Sequence, residues 1–290
     1  SLATERPLLQ GAIVVDNGGD PATARGLQHA PVPVRVLTPG RNLGCGGGVA
    51  AALGEGLTGT AATHFWQLDD DASVRPGALA ALLEALAGAG ADAASPLVVN
   101  EEDRVCWFPG PLPRAGWRAL GREVVTAAGF RTRFGGAPLA WSWSPWTSLL
   151  LTRRAVEAAG LPRDDYWFQG EDIEYTLRIS ARFRAVLAPG AVCVHHAATP
   201  PGGRPAFLKR CALLQNNAFT FTHLPHGRRG RRHLPGNFGR FLREERFAPA
   251  AWAAAGCAFW RGAVRGRPAG TAGCDGFRRE WEEIAAQTGG

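Results

Sequence analysis

The sequence predicts an α/β protein: a mostly parallel sheet flanked by helices, with a helical, basic carboxyl-terminal extension. Two patterns predict it. Short apolar runs end in acid or glycine, as strands do at a polar turn, and leucines at helical spacing follow them. The composition agrees, with 46% of the 290 residues hydrophobic and 20% charged, as in a folded chain with a sizeable core.

The first strand is Ala12 to Val15, closed by Asp16, Asn17, Gly18 and Gly19. The second alternates over Val32 to Leu37 and runs into the glycine-rich loop "RNLGCGGG", after which Val49, Leu53 and Leu57 recur at helical spacing. The third, "THFWQLDDD", ends in three carboxylates; Leu79, Leu82, Leu83 and Leu86 mark the next helix, with Pro76 in its first turn. A fourth strand lies in "DAASPLVVN". Residues 101–147, rich in Trp, Pro and Gly, read as long loops or a small sheet insertion. The next helix, "TRRAVEAAGLP", takes Thr152 as N-cap and Gly160 as stop. "FQGEDIEYTLRISAR" opens another, with Ile173 and Leu177 on its apolar face, and "RAVLAPGAVCVHH" is a late strand. Phe207, Cys211, Leu214, Ala218 and Phe221 fit one long amphipathic helix; from His226 to Phe247 the chain is arginine-dense and turn-rich. The simplest partition is a catalytic domain over 1–200 and a helical, arginine-rich region over 201–290.

The charge excludes some classes and favours others. A net +7 comes almost wholly from arginine, Lys209 being the one lysine. That balance suits phosphate-bearing small molecules or an acidic lipid surface, and no helix-turn-helix, RNP or zinc-finger pattern supports nucleic acid. The six cysteines are scattered without a C-x-x-C pair, against a zinc ribbon or a disulfide framework. No apolar run approaches the roughly 18 residues of a membrane span, and no signal peptide is visible, so a cytoplasmic location is the expectation.

Ligands of parallel α/β sheets bind at the carboxyl ends of strands, and Asp16, the glycine-rich loop and the Asp triplet all fall there. Three adjacent carboxylates repel one another unless something offsets their charge. A Ca²⁺ loop of the EF-hand type would need Gly six positions from Asp69 inclusive, where Val74 stands. Hard oxygen ligands instead suit Mg²⁺ or Mn²⁺ shared with a phosphate. In an extended segment Asp69 and Asp71 share one side while Asp70 points away. The plain alternative is an acidic turn before the following helix.

The glycine-rich loop fits neither the Walker pattern nor G-x-G-x-x-G, Val49 occupying the third glycine position. Glu171 and Asp172 stand near a helix start, where a carboxylate serves either as a general base or as a helix cap. His195 and His196 end a strand and point to opposite faces, so at most one reaches a site.

Taken in order, "VVDNGG", "RNLGCGGG", "FWQLDDDA", "GEDIEYTLR" and "VHH" resemble the inverting glycosyltransferases of family 2, most of all their rhamnosyl- and galactofuranosyltransferase-like branch. The likeness covers roughly residues 1–225. It implies a GT-A fold, a nucleotide-diphosphate sugar donor and a divalent metal, Mn²⁺ or Mg²⁺. By that resemblance Asp16 or Asn17 contacts the base or ribose, and Arg41, Asn42 and Gly44 line the nucleotide crevice. Asp69 and Asp70 belong to the sugar-nucleotide site; Asp69, Asp71 and His195 hold the metal, with His196 as second choice. Asp172 is the base for the acceptor hydroxyl, with Glu171 beside it. Trp141, Trp143 and Trp146 stack on an acceptor, a glycan or lipid-linked sugar, unless they serve the core.

The family begins with a strand and helix that "SLATERPLLQGAIVVDNGG" matches only from the end of the helix, so the chain is expected to lack the first strand and part of the first helix. A non-catalytic binder of sugar nucleotides or glycans is the rival on that ground. A nucleotidyltransferase would need an early Gly-rich loop with Arg and Lys, which is absent. The arginines Arg228, Arg229, Arg231, Arg232, Arg240 and Arg243 suit peripheral contact with anionic membrane, or simply a solvated surface.

Overall fold

The computed structural model describes residues 2–110, 126–196 and 204–270. They fall in two compact units. One comprises Ser1–Asn42, Gly48–Leu161 and Tyr175–Ala197; the other comprises Leu43–Gly47, Pro162–Glu174 and Ala198–Gly290.

The first unit holds the strands. β1 (Ala12–Val15) and β2 (Val34–Leu37) pair in parallel as a two-stranded sheet, joined through α1 (Pro21–Gly26), whose N-cap Asp20 accepts from Ala22 N. A seven-stranded sheet follows, of β3 (His64–Leu68), β4 (Ala72–Val74), β5 (Ala93–Val99), β6 (Val105–Trp107), β7 (Leu139–Ala140), β8 (Ser148–Thr152) and β9 (Ala185–His195). Its main path runs β3-β8-β5-β9-β4, with β6 on β5 and β7 on β9. The α/β class holds, but the sheet is mixed rather than mostly parallel: β5 and β9 run parallel while β3, β4 and β8 pair antiparallel. The late strands reverse direction because short turns and loops, not only crossover helices, feed them.

Helix α2 (Gly44–Gly59) takes in the glycine run expected as a loop. α3 (Ala78–Ala89) buries Leu79, Leu82 and Leu86 against Val98, Leu150, Val186 and Cys193 of the sheet, the main core. Pro76 stands outside this helix, because the short β4 lies between the acid triplet and the helix start. Gly77, at φ 80, offers α3 no capping side chain. Glu5 does so from a distance. It lies in the 3-10 helix Leu2–Leu8, is 2% exposed, and accepts from Gly77 N at 2.8 Å and Leu79 N at 3.0 Å.

α4 (Ala127–Phe134) lies in the tryptophan-rich region, of which 111–125 fall outside the described residues. α5 (Arg153–Ala159) begins at Thr152, whose hydroxyl accepts from Ala155 N at 3.2 Å, and stops at Gly160, as expected. α6 (Glu171–Ser180) corrects the expected face. Tyr175 and Ile179 are its fully buried apolar pair, while Ile173 and Leu177 are only half-buried. Both pairs are four apart, so spacing alone does not choose between them.

The second unit is helical. α7 (Arg204–His223), α8 (Leu234–Glu244) and α9 (Pro249–Phe259) share a core of Leu214, Phe241, Leu242, Ala251, Ala255 and Ala258. The arginine-dense stretch is helical as well, a 3-10 run over Pro225–His233 and then α8. Its arginines 228, 229, 231, 232, 240 and 243 are exposed, though Arg231 also caps α7 by donating to the carbonyls of Phe221 and Thr222. No helix among the described residues is long and apolar enough to cross a membrane.

Losing the distant cap should leave two backbone N–H groups of α3 without an acceptor. Glu5→Ala is expected to cost about 1–2 kcal/mol, read as a lower midpoint in urea denaturation; an unchanged midpoint would show that water caps the helix equally well.

Candidate functional site

The acid triplet is a turn, not an extended segment. Ala72 N donates back to Asp69 O at 3.3 Å, so residues 69–72 reverse the chain between β3 and β4. The expected convergence of Asp69 and Asp71 is reached by that turn and not by strand alternation. β4 then pairs antiparallel with β9 in a register that sets Ala72 opposite His195. Asp69, Asp71 and His195 come together, each offering one ligand atom, all within 4.8 Å of one another. His195 Nε2 lies 3.4 Å from Asp71 Oδ1.

His196 faces elsewhere. Its Nε2 lies 2.7 Å from Ser73 Oγ and its Nδ1 3.1 Å from Glu101 Oε1, so of the two histidines His195 is the one beside the carboxylates. Asp70 is exposed in the turn and is not among the three.

Burial raises the Asp69 carboxyl above the ordinary value. A hydrogen bond from Gln67 Nε2 at 2.8 Å pulls the other way, Asp71 and Asp70 raise it further, and His195 lowers it. The other amide atom, Gln67 Oε1, is buried with no hydrogen-bond partner among the described residues. Two carboxylates that repel and an imidazole beside them fit a hard divalent cation. Beneath them the Cys193 thiol, fully buried, is pushed up to about 12 by burial and by the charge of Asp69.

Sequence reasoning missed Gln67, which lies two residues before Asp69 at the end of β3. It missed Trp107 as well. This indole is 51% exposed on β6 and stands edge-on to the His195 ring, centroids 6.4 Å apart. Neither has a motif; only the pairing of β6 with β5, and of β5 with β9, brings Trp107 to His195.

The expected acceptor platform is corrected. Trp141 and Trp146 are 5% and 4% exposed and pack as core, Trp146 against Tyr175, so neither offers a ring face to a sugar. Trp143 is half-buried over Gly110.

Residues expected at the nucleotide lie in four places. Asp16 closes β1, its Oδ1 accepting from Gly18 N and Gly19 N at 3.1 and 2.9 Å. Asn17 lies against Gly48 of α2, where an added Cβ would come within 3.2 Å of its amide nitrogen. Arg41 and Asn42 are exposed just before α2. Gly44 is buried in the second unit against Trp167, a close approach that glycine permits. Its φ is 70, and a Cβ there would lie 2.3 Å from Trp167 O.

In the same unit Glu171 and Asp172 start α6. Glu171 is buried; Asp172 is half-buried, with Oδ1 accepting from Ile173 N at 2.7 Å. Of the two, Asp172 is the carboxylate that solvent reaches.

This architecture, a mixed sheet flanked by helices with an acidic turn at the end of β3, is the GT-A glycosyltransferase fold. S. aureus TarS superposes on it with a TM-score of 0.51 at 13% identity, over 96% of this chain and 82% of that one. GalNAc-T7 does so with a TM-score of 0.50 at 14% identity, over 77% and 46%. No family model matches the chain. Relatives in sequence are nearer. The N-acetylglucosaminyl-diphospho-decaprenol L-rhamnosyltransferase of Mycobacterium tuberculosis is 31% identical over 223 residues, 71% of this chain and 72% of that one. The galactofuranosyltransferase GlfT1 of Mycolicibacterium smegmatis is 31% identical over 173 residues, 58% and 54%. The chain belongs to the family 2-like glycosyltransferases and is a glycosyltransferase.

The close approach at Gly44 has a measurable sign. Gly44→Ala is expected to destabilise by about 1–3 kcal/mol through overpacking and a left-handed φ. Gly88→Ala in α3, where a Cβ meets nothing within 4 Å, is expected to stabilise by roughly 0.5–1 kcal/mol. Paired urea titrations check the two signs.

Proposed function

We propose that this glycosyltransferase is inverting and metal-dependent, moving a sugar from a nucleotide-diphosphate donor to a hydroxyl of a glycan, lipid-linked or small-molecule acceptor. The observation that carries the metal reading is the meeting of Asp69, Asp71 and His195 within 4.8 Å. Asp69, Asp71 and His195 would hold a divalent cation, Mn²⁺ or Mg²⁺, which would offset the charge that builds on the departing diphosphate. The GalNAc-T7 structure, which holds UDP, GalNAc and Mn²⁺, supports the same reading.

Asp69 and Asp71 face the diphosphate end of the donor, and Gln67 keeps one oxygen of Asp69 occupied, leaving the other to bind. Asp16, Asn17, Arg41 and Asn42 contact the nucleoside. Asp172 takes the proton of the incoming hydroxyl as that oxygen bonds to the sugar carbon and the bond to diphosphate breaks. Attack opposite the leaving group inverts the anomeric centre. Buried Glu171 supports the start of α6 rather than meeting the acceptor.

The decaprenol-linked acceptor in the name of the mycobacterial relative supports a lipid-linked acceptor here. Residues 1–200 form the catalytic region, and the exposed arginines of 201–290 rest on an anionic, cytoplasmic membrane face.

A panel of UDP-, dTDP- and GDP-sugars tests the reading. Turnover is expected with Mn²⁺, lost in EDTA and restored on adding Mn²⁺; Asp69→Asn and Asp71→Asn should lower Mn²⁺ affinity in titration calorimetry. Turnover undiminished by EDTA would end the metal reading. Asp172→Asn is expected to lower kcat by about 10²–10⁴ with donor affinity retained. Wild-type turnover in that variant would remove Asp172 as the base.

A further inference from the structure

The segment that leads into Asp172 is strained. After the single 3-10 turn Asp164–Tyr166, Trp167 sits at φ 59 and ψ −54, Gln169 at φ 67 and Gly170 at φ 90. Phe168 N donates to Tyr166 O at 2.6 Å, which closes a γ-turn of the rare, strained hand around Trp167. Side chains with a Cβ avoid the left-handed region, so this path persists only because its surroundings hold it.

Asn216 does the holding. It lies on α7 and is 0% exposed. Its Nδ2 faces three carbonyls of the segment: Tyr166 at 3.4 Å, Phe168 at 3.1 Å and Gln169 at 2.6 Å. Its Oδ1 accepts from Ala269 N at 2.7 Å, which fixes which way the amide is turned. Thr220, one turn along α7, donates to Asn216 O and is hydrogen-bonded to the Tyr166 hydroxyl. On another side, Trp167 O accepts from Cys45 N at 2.8 Å, with Gly44 packed against the indole. Gly170 O then accepts the N–H of Glu174 at 3.0 Å, the first bond of the helix that carries Asp172.

We infer that Asn216 is a positioning residue for Asp172: by gathering the carbonyls of 166, 168 and 169 it holds the strained strap that sets where α6 begins and where its second residue stands. The inference rests on Asp172 being the base. A strap that served packing alone would not need two non-glycine residues in the left-handed region beside that carboxylate. Burial of Tyr166 and Trp167 could be met by a relaxed loop.

Asn216→Asp in the full chain is the test. It keeps volume and the acceptor for Ala269 N but turns an oxygen toward three carbonyls. With the panel sugar nucleotide of highest turnover, kcat is expected to fall about 100-fold, as for a misplaced catalytic group. The donor KM should stay within about twofold, the signature of an interaction made only in the transition state. The acid limb of the kcat–pH profile should move, and amides of 166–172 should exchange hydrogen faster while those of α7 stay protected. Gln169→Gly removes the cost of φ 67 at one strap residue, so in the Asn216→Asp background it should recover part of the lost kcat. Wild-type kcat in folded Asn216→Asp overturns the proposal, as does a double variant that recovers nothing or a loss of kcat that only tracks the unfolded fraction. If Asp172→Asn is inactive while Asn216→Asp is wild-type, positioning alone fails. If Asp172→Asn keeps wild-type turnover, the base assignment fails and this inference with it.

Discussion

Strands β3 and β4 are neighbours in the chain and lie at opposite ends of the sheet path. In a flat sheet four inter-strand steps would hold them about 19 Å apart. From Leu68 to Ala72 the chain reaches about 14 Å at full stretch. A flat sheet is therefore excluded, and the strands must curl until the ends of the path approach. The acid triplet is the link that closes the curl. Because it is so short, β4 has to meet β9 close to where β9 ends, and that meeting sets Ala72 opposite His195. The cluster of Asp69, Asp71 and His195 is thus a product of chain reach. Its electrostatic cost, a half-buried carboxylate beside two others, is held in place by the sheet.

A second constraint governs the helical unit. Chain from three separate stretches crowds around Trp167, and glycine is what permits the crowding. A Cβ at Gly46 would lie 2.7 Å from Arg163 O, and one at Gly270 2.5 Å from Asp165 O. The run "GCGGG" therefore serves close backbone approach at Gly44 and Gly46. Its resemblance to a nucleotide loop is one of composition, since small residues suit any close approach, to a ligand or to another part of the chain.

Much of the fold could be read from the residues. Helices α3 and α5 announced themselves by leucine spacing and by Thr152 and Gly160 at the ends of α5, and strands β1, β3, β5 and β9 by apolar runs. What escaped reading were features decided by tertiary pairing. The three-residue β4 is too short to show a period. The buried face of α6 lies on Tyr175 and Ile179, and Tyr175 is the side chain that meets Trp146. The tryptophans divided by burial, which no local pattern records: Trp141 and Trp146 went to the core, while Trp107 kept its ring in solvent. At the site, the residue types of the triplet and of "VHH" were legible. The choice of His195 over His196 was made by the β4–β9 register, and Gln67 has no signal outside the folded state.

Helix α3 shows how such a distant pairing shapes behaviour as well as structure. Its capping carboxylate comes from Glu5, 72 residues from Gly77 and 74 from Leu79. A local cap forms as soon as its own turn does. This one forms only after a long loop has closed, at an entropic cost that nearby contacts do not carry. The start of α3 is therefore complete only when residues 2–8 have docked on it. Leu2 and Leu9 pack against the principal core on either side of that carboxylate, so the short amino-terminal turn ties the first turn of the helix to chain far away in sequence.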